Sequence, residues 1–233
     1  MLFFAVLPFA MASFTGCSQD GGDVISFNDV DASSDTRFVE DVTNVSPEAR
    51  AVVTRLNERL ATLRSSPDGH PHFLGKSHTF DATRAPEARV VRHDAWLSVE
   101  SADATAKAEL RLPLDAKESF RIADSRTGAA IVVRMREAGK AIAEIVDAAV
   151  VYRKAAPGFG DIVHRPNAFG TEDFVLYEQR PEEEKLVYEI ELEDGVRGLR
   201  LVSNTLEFLD HGGAPRLRVA PPYVIDADGR RID

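Results

Sequence analysis

From about residue 88 onward, apolar and polar positions alternate with a period close to two. Leu186, Tyr188, Ile190 and Leu192 fall on one side and Glu189, Glu191 and Glu193 on the other, the pattern of a strand with one buried and one wet face. Similar runs predict strands near 90–99, 106–112, 119–123, 130–136, 141–152, 161–164, 172–177, 199–202, 205–209 and 216–219. Between them stand turn signals: Asp124-Ser125-Arg126-Thr127-Gly128, Ala156-Pro157-Gly158, Glu193-Asp194-Gly195 and His211-Gly212-Gly213. Strands this short, separated by turns this close, describe an antiparallel meander. The expected fold class is therefore mainly β, an antiparallel sandwich or pair of sheets.

Ahead of this region the period is near 3.6. Ser46-Pro47-Glu48 supplies a capping hydroxyl, a proline at the first helical position and an acid in the first turn. Ala49, Val52, Val53, Leu56, Leu60 and Leu63 then recur on one face, with Arg50, Arg55, Asn57, Glu58 and Arg59 between them. One amphipathic helix is expected over 47–64, ended by the turn residues Ser65-Ser66-Pro67-Asp68-Gly69. Its polar face carries both signs of charge, which favours packing on the domain over lying on a membrane.

The first residues read as an address. Positions 2–12 are an apolar run the length of a signal-peptide core, too short to cross a bilayer as a helix. The following Ser13-Phe14-Thr15-Gly16-Cys17 resembles the lipobox of bacterial lipoproteins, although Phe14 stands where that pattern has Leu and no basic residue precedes the run. The resemblance implies lipidation at Cys17, a membrane partner through that anchor, and, with Ser18 next, sorting to the outer membrane or cell surface. Without the lipid, the same segment reads as a plain secretory signal with an incidental cysteine, or as a buried apolar N-terminal segment. Residues 18–45 are rich in Asp, Ser and Gly, with Arg37 alone opposing the acids, and read as a solvated tether. A calcium role for this stretch lacks the Gly and Glu spacing of a binding loop. The organisation expected is thus signal 1–17, acidic tether 18–45, helix and loop 46–87, and β-domain 88–233.

Composition narrows the partners. The 233 residues are 44% hydrophobic and 28% charged, ample for a packed core. The net charge of −10, with basic residues scattered singly among acids, leaves no stripe for nucleic acid. A single cysteine excludes an internal disulfide and a cysteine-built zinc site.

An ordered series of segments runs through the last third of the chain: Val150-Val151-Tyr152, Asp161-Ile162-Val163-His164-Arg165-Pro166, Gly170-Thr171-Glu172-Asp173-Phe174, Arg180-Pro181, Leu206-Glu207-Phe208-Leu209-Asp210 and Pro221 to Gly229. Over about 148–233 this resembles the β-rich N-terminal domain that precedes Rhs/YD or β-propeller-type repeats in large secreted bacterial proteins. The resemblance implies a structural or interactive role at the cell surface, in the N-terminal part of a longer protein, and it brings no catalytic residue with it.

The candidates for chemistry are few. His70, His72 and His78, with Asp81, have metal-like spacing, but their Pro- and Gly-containing surroundings read as a linker. His93 and His164 fall within strands, where a hydrogen-bonded structural histidine is the simpler reading. Paired carboxylates for a glycosidase could be drawn from Glu172 and Asp173, or from Glu182, Glu183 and Glu184, the second group reading as a charged turn. Asp226-Ala227-Asp228-Gly229 has half the look of a calcium loop and all that a hairpin turn needs. No nucleophile elbow and no phosphate-binding glycine motif occurs. Trp96, Tyr152, Phe174, Tyr177, Tyr188, Phe208 and Tyr223 fall at strand positions, as core filling or as an exposed carbohydrate platform. The expected function is a non-enzymatic cell-surface or secreted module without cofactor. The alternatives are a carbohydrate- or peptide-binding module and a metal-dependent hydrolase built on the histidine cluster.

Overall fold

In the computed structural model, residues 3–11, 45–65, 88–101, 108–167, 169–228 and 230–232 are described. They form a mainly β fold of two antiparallel sheets and one α-helix. The smaller sheet contains β2 (Ala88–Arg92), β3 (Trp96–Ser101), β4 (Ala108–Pro113), β5 (Phe120–Asp124), β6 (Ala130–Met135) and β11 (Tyr188–Leu192), in the order β11-β6-β5-β4-β3-β2. The larger sheet takes β1 (Phe3–Met11), β7 (Glu144–Val146), β8 (Ala149–Ala156), β9 (Gly160–Asn167), β10 (Gly170–Tyr177), β12 (Gly198–Val202), β13 (Thr205–Leu209) and β14 (Pro215–Val219), in the order β12-β13-β14-β1-β10-β9-β8-β7. Two short strands, β15 (Tyr223–Ile225) and β16 (Arg231–Ile232), extend it, β15 pairing with β1.

Helix α1 (Pro47–Ser65) lies within one residue of its expected span. The Ala49 amide donates to the Ser46 hydroxyl at 3.1 Å, and the Ser46 amide donates to Glu144 Oε2 at 2.9 Å, so the cap also fixes the helix to β7. Its apolar stripe of Ala49, Val52, Val53, Leu56 and Leu60 is buried against Val151, Val163, Phe174, Leu176 and Ile225 on the outer face of the larger sheet. Each such side chain withdrawn from water contributes roughly 1.5–3 kcal/mol before ordering entropy is subtracted. The opposite face meets the smaller sheet around Leu112, Phe120, Ile131, Tyr152, Val175, Tyr177, Phe208 and Leu217. The molecule is therefore helix on sheet on sheet, and the larger sheet carries an apolar core on both faces.

This layering decides the local patterns. In β10, Phe174 and Leu176 face the helix while Val175 and Tyr177 face the other sheet, and all four are buried. Strand β11, with only one covered face, keeps the alternation seen in the sequence, Tyr188 and Ile190 packing on the core. Two expected strands divide. The run 90–99 is β2 and β3 around a turn where the His93 amide donates to the Trp96 carbonyl. The run 141–152 is β7 and β8, joined at Asp147 (φ 47°) and Ala148 (φ 64°). Two successive left-handed residues match the twist of a hairpin, which is why β-branched neighbours on either side did not betray the turn. Ser203 (φ 47°) and Asn204 (φ 63°) repeat the device between β12 and β13.

The apolar segment expected to be an export signal is here β1, at the centre of the larger sheet. It pairs with β10 from Phe3↔Tyr177 to Ala10↔Gly170. On its other side β15 covers Phe4 to Val6 and β14 covers Phe9 to Met11. Leu7 and Pro8 lie opposite the break between those two partners, where Pro221 and Pro222 stand. A proline is tolerated there because the ladder has a partner on one side only.

Candidate functional site

Two features of the fold present chemistry that packing alone does not require: a polar pair between the sheets and an open end at β12. The first arises from the β9–β10 hairpin, whose register sets His164 directly across from Asp173. His164 Nδ1 lies 2.6 Å from Asp173 Oδ1, and Thr171 Oγ1 donates to the same oxygen at 2.9 Å. A carboxylate only accepts, so Nδ1 carries a ring proton directed at Asp173. The pair is buried, Asp173 at 1% exposure and His164 at 5%. Phe120 and Tyr152 meet the imidazole edge to face, at 5.2 and 5.6 Å between ring centres.

Beside this pair is a cavity of about 20 Å³, lined by His164, Tyr152, Tyr188, Phe120, Glu118 and neighbouring apolar residues. Such a volume holds about one water molecule. Tyr152 Oη donates to the Pro113 carbonyl at 2.6 Å, tying β8 to the smaller sheet. Burial, reinforced by the Asp173 and Asp115 carboxylates, pushes the Tyr152 phenol far above its ordinary range, and burial does the same to Tyr188. Both phenols are therefore neutral donors at physiological pH. His164 and Asp173 have the arrangement of the base and orienting acid of a catalytic triad. The cavity next to them is too small for a substrate-sized molecule, and the pair is only partly satisfied, since Asp173 Oδ2 is buried without a hydrogen-bond partner.

The second feature is β12. Leu199 and Leu201 pair with Phe208 and Leu206 of β13 and so belong to the face turned toward the smaller sheet. Yet Leu199 is 54% and Leu201 70% exposed, with Val202 also exposed on the other face. On that outer face Arg200 Nε and its terminal nitrogen donate to Glu207 at 2.9 and 2.6 Å. Among the described residues β12 is the end of the larger sheet, with a free backbone edge and an uncovered apolar strip.

The sequence-derived candidates are distributed as follows. Cys17, Ser18, His70, His72, His78 and Asp81 lie outside the described residues. Among the described residues no group of three or more His, Cys, Asp or Glu side chains is disposed to hold a metal ion, and no helix is long and apolar enough to cross a membrane. Glu182, Glu183 and Glu184 are exposed on a loop. Asp226 accepts from the amides of Asp228 and Arg230, both at 2.9 Å, and from Arg230 Nε at 3.0 Å, which is a hairpin turn. Tyr152, Phe174, Tyr177 and Phe208 are interior. Trp96 is half-buried, stacked on His93 at 4.0 Å with Arg111 over its ring at 4.6 Å. The His164–Asp173 pairing was readable in principle: a tight hairpin between β9 and β10 places residues 164 and 173 opposite one another.

No protein-family model matches the chain, and neither the curated proteins nor the solved structures contain a match.

Proposed function

We propose that this chain is a non-enzymatic interaction module exported to a bacterial cell surface, the N-terminal part of a larger repeat-containing protein, which engages its partner by strand pairing at β12. The observation that carries this reading is the uncovered strip of Leu199 and Leu201 on an end strand. Natural sheet edges are guarded by charge, proline or brevity, and an edge left apolar and accessible is the template used in β-augmentation. Arg200, between the two leucines in sequence but on the opposite face of β12, favours a partner strand that alternates apolar and acidic residues. In this reading Cys17 carries the lipid anchor and residues 18–45 hold the domain away from the membrane.

Two measurements test it. With an acetylated Val-Glu-Leu-Glu-Val-Glu peptide as probe, the amides of Gly198–Val202 slow in hydrogen exchange, and Leu201→Lys weakens binding while leaving the thermal midpoint in place. Equal exchange with and without the peptide would remove β12 as the docking edge. Intact mass and membrane fractionation of the protein from cells, beside Cys17→Ala, test the anchor. A diacyl mass increment and membrane retention, both lost in the variant, support it, and an unmodified soluble protein contradicts it.

A further inference from the structure

The slot that β1 occupies has an unusual chemistry. Position by position, its odd-numbered residues are in register with Tyr177 and Val175 of β10 and with Leu217 and Val219 of β14, all in the core between the sheets. Of its even-numbered residues, Phe4 and Val6 are in register with Leu176 and Phe174 of β10 and with Ile225 and Tyr223 of β15, in the core beneath α1. Pro8 and Ala10 stand instead opposite the half-buried, charged Glu172 and Arg218, so a strand placed here has both faces in the core only over residues 3–7. Over that half it must be apolar at successive positions, and Phe3-Phe4-Ala5-Val6-Leu7 is so. The two sides of the slot are also independent of β1 in sequence, since β10, β14 and β15 reach it from residues 170–225.

The same residues precede Cys17, where the export reading places the cleavage that creates the mature N-terminus. Removal of residues 1–16 would take β1 out of a sheet whose remaining strands still flank its place. The β10 backbone, and the apolar faces on either side of it, would then stand open. We propose that the processed domain is a strand acceptor: the gap between β10 and β14/β15 receives an extended, uncharged segment of a partner polypeptide, apolar on both faces over the half of the gap lined by Phe174–Tyr177 and Tyr223–Ile225, with Phe3–Met11 acting before processing as an internal stand-in for that donor. This rests on the export reading under the proposed function. The requirement for apolar residues on both faces separates this acceptor from the β12 edge, whose partner has one solvated face carrying acids.

The test uses the processed chain, residues 17–233 carrying Cys17→Ser, and a synthetic peptide of the sequence Phe3–Met11 with a solubilising lysine tail. The acceptor binds the peptide one to one, and the amides of Gly170–Tyr177 become protected from hydrogen exchange on binding. The same peptide carrying Val6→Asp, which would bring a carboxylate in register with Phe174, binds on the order of a hundredfold more weakly or worse. Absence of binding by a folded processed chain, or equal binding of the two peptides, overturns the proposal. Should the processed chain not fold alone, the peptide is appended after Asp233 through a flexible linker. The appended native sequence then restores protection to β10 and the Val6→Asp version does not, whereas failure of both, or success of both, overturns it. The export reading is judged separately by intact mass from cells. A protein that still begins at Met1 removes the processing step, and the peptide results decide the slot on their own.

Discussion

The two sheets bury their strands differently, and the difference governs both what the molecule does and what its sequence shows. In the smaller sheet a strand such as β11 has one face on the core and one in water, and Tyr188, Ile190 and Leu192 alternate with Glu189 and Glu191 accordingly. In the larger sheet, the central strands lie between α1 on one side and the smaller sheet on the other, so that β10 is buried at nearly every position. A singly covered strand announces itself by its period; a doubly covered one is a plain apolar run. The larger sheet thus depends more on each side chain, and less on pattern, than the smaller.

Truncation should separate the sheets most sharply. Phe174→Ala, in the core beneath the helix, is expected to destabilise by about 3–5 kcal/mol, whereas Ile190→Ala, on the half-wet β11, should lose less than about 2 kcal/mol. Denaturant melts of the two variants check this, and equal losses would mean that the two-sided burial of β10 adds nothing. The polar pair comes next. His164→Ala leaves Asp173 buried with its hydrogen bond from Thr171 but without the imidazole, and about 3 kcal/mol should be lost. Adding Asp173→Leu to that variant should restore part of the loss. A double variant as unstable as the sum of the two singles would argue against their pairing.

Tyr152 joins the sheets and yields a smaller effect with a pH signature. Tyr152→Phe removes the bond to the Pro113 carbonyl and should cost about 1 kcal/mol at neutral pH. Because burial raises the phenol above its ordinary value of 10.0, its neutral form favours the folded state. The stability it contributes is present below pH 10 and is lost as pH rises above that value. The native protein should therefore weaken between pH 10 and about 12, and Tyr152→Phe should weaken less over the same interval, as followed by circular dichroism. The smallest change concerns Asp210, which closes the β13–β14 hairpin. The amides of Ala214 and Gly212 and the Arg216 guanidinium hold its carboxyl below the ordinary 3.8. Its contribution is present above that value and fades as pH falls through the lowered one. Asp210→Asn should flatten the acid limb of the stability curve, and an unchanged limb would assign acid unfolding to other carboxylates.

The legible parts of this fold follow from the same contrast. Helix α1 was readable because its stripe is amphipathic, and β11 because its outer face is wet. The turns at Asp124–Gly128 and Asp210–Gly213 carried their own residues: Gly128 and Gly213 take positive φ, and both aspartates accept backbone amides. The turns at Asp147 and Ala148 and at Ser203 and Asn204 carry no glycine, so the first was read as continuous strand. His164 looked structural because it fell in a strand, but its partner depended on hairpin register, which no composition reveals. Phe3–Met11 was the least legible element, since an apolar run of nine residues fits a signal core and a doubly buried strand equally well. The β12 strip was also hidden, because Leu199 and Leu201 have the pattern of a buried face and only the end of the sheet leaves them exposed.

The central claim is that Phe3–Met11 belongs to the larger sheet as long as it remains on the chain. Native-state hydrogen exchange of the full-length Cys17→Ser protein reads this directly, amide by amide. The account predicts that the amides of Phe4 to Met11 that face β10 exchange as slowly as those of Phe174 and Leu176, and through the same global opening. Exchange of Phe4 to Met11 at the rate of a free peptide, with β10 still protected, would contradict it.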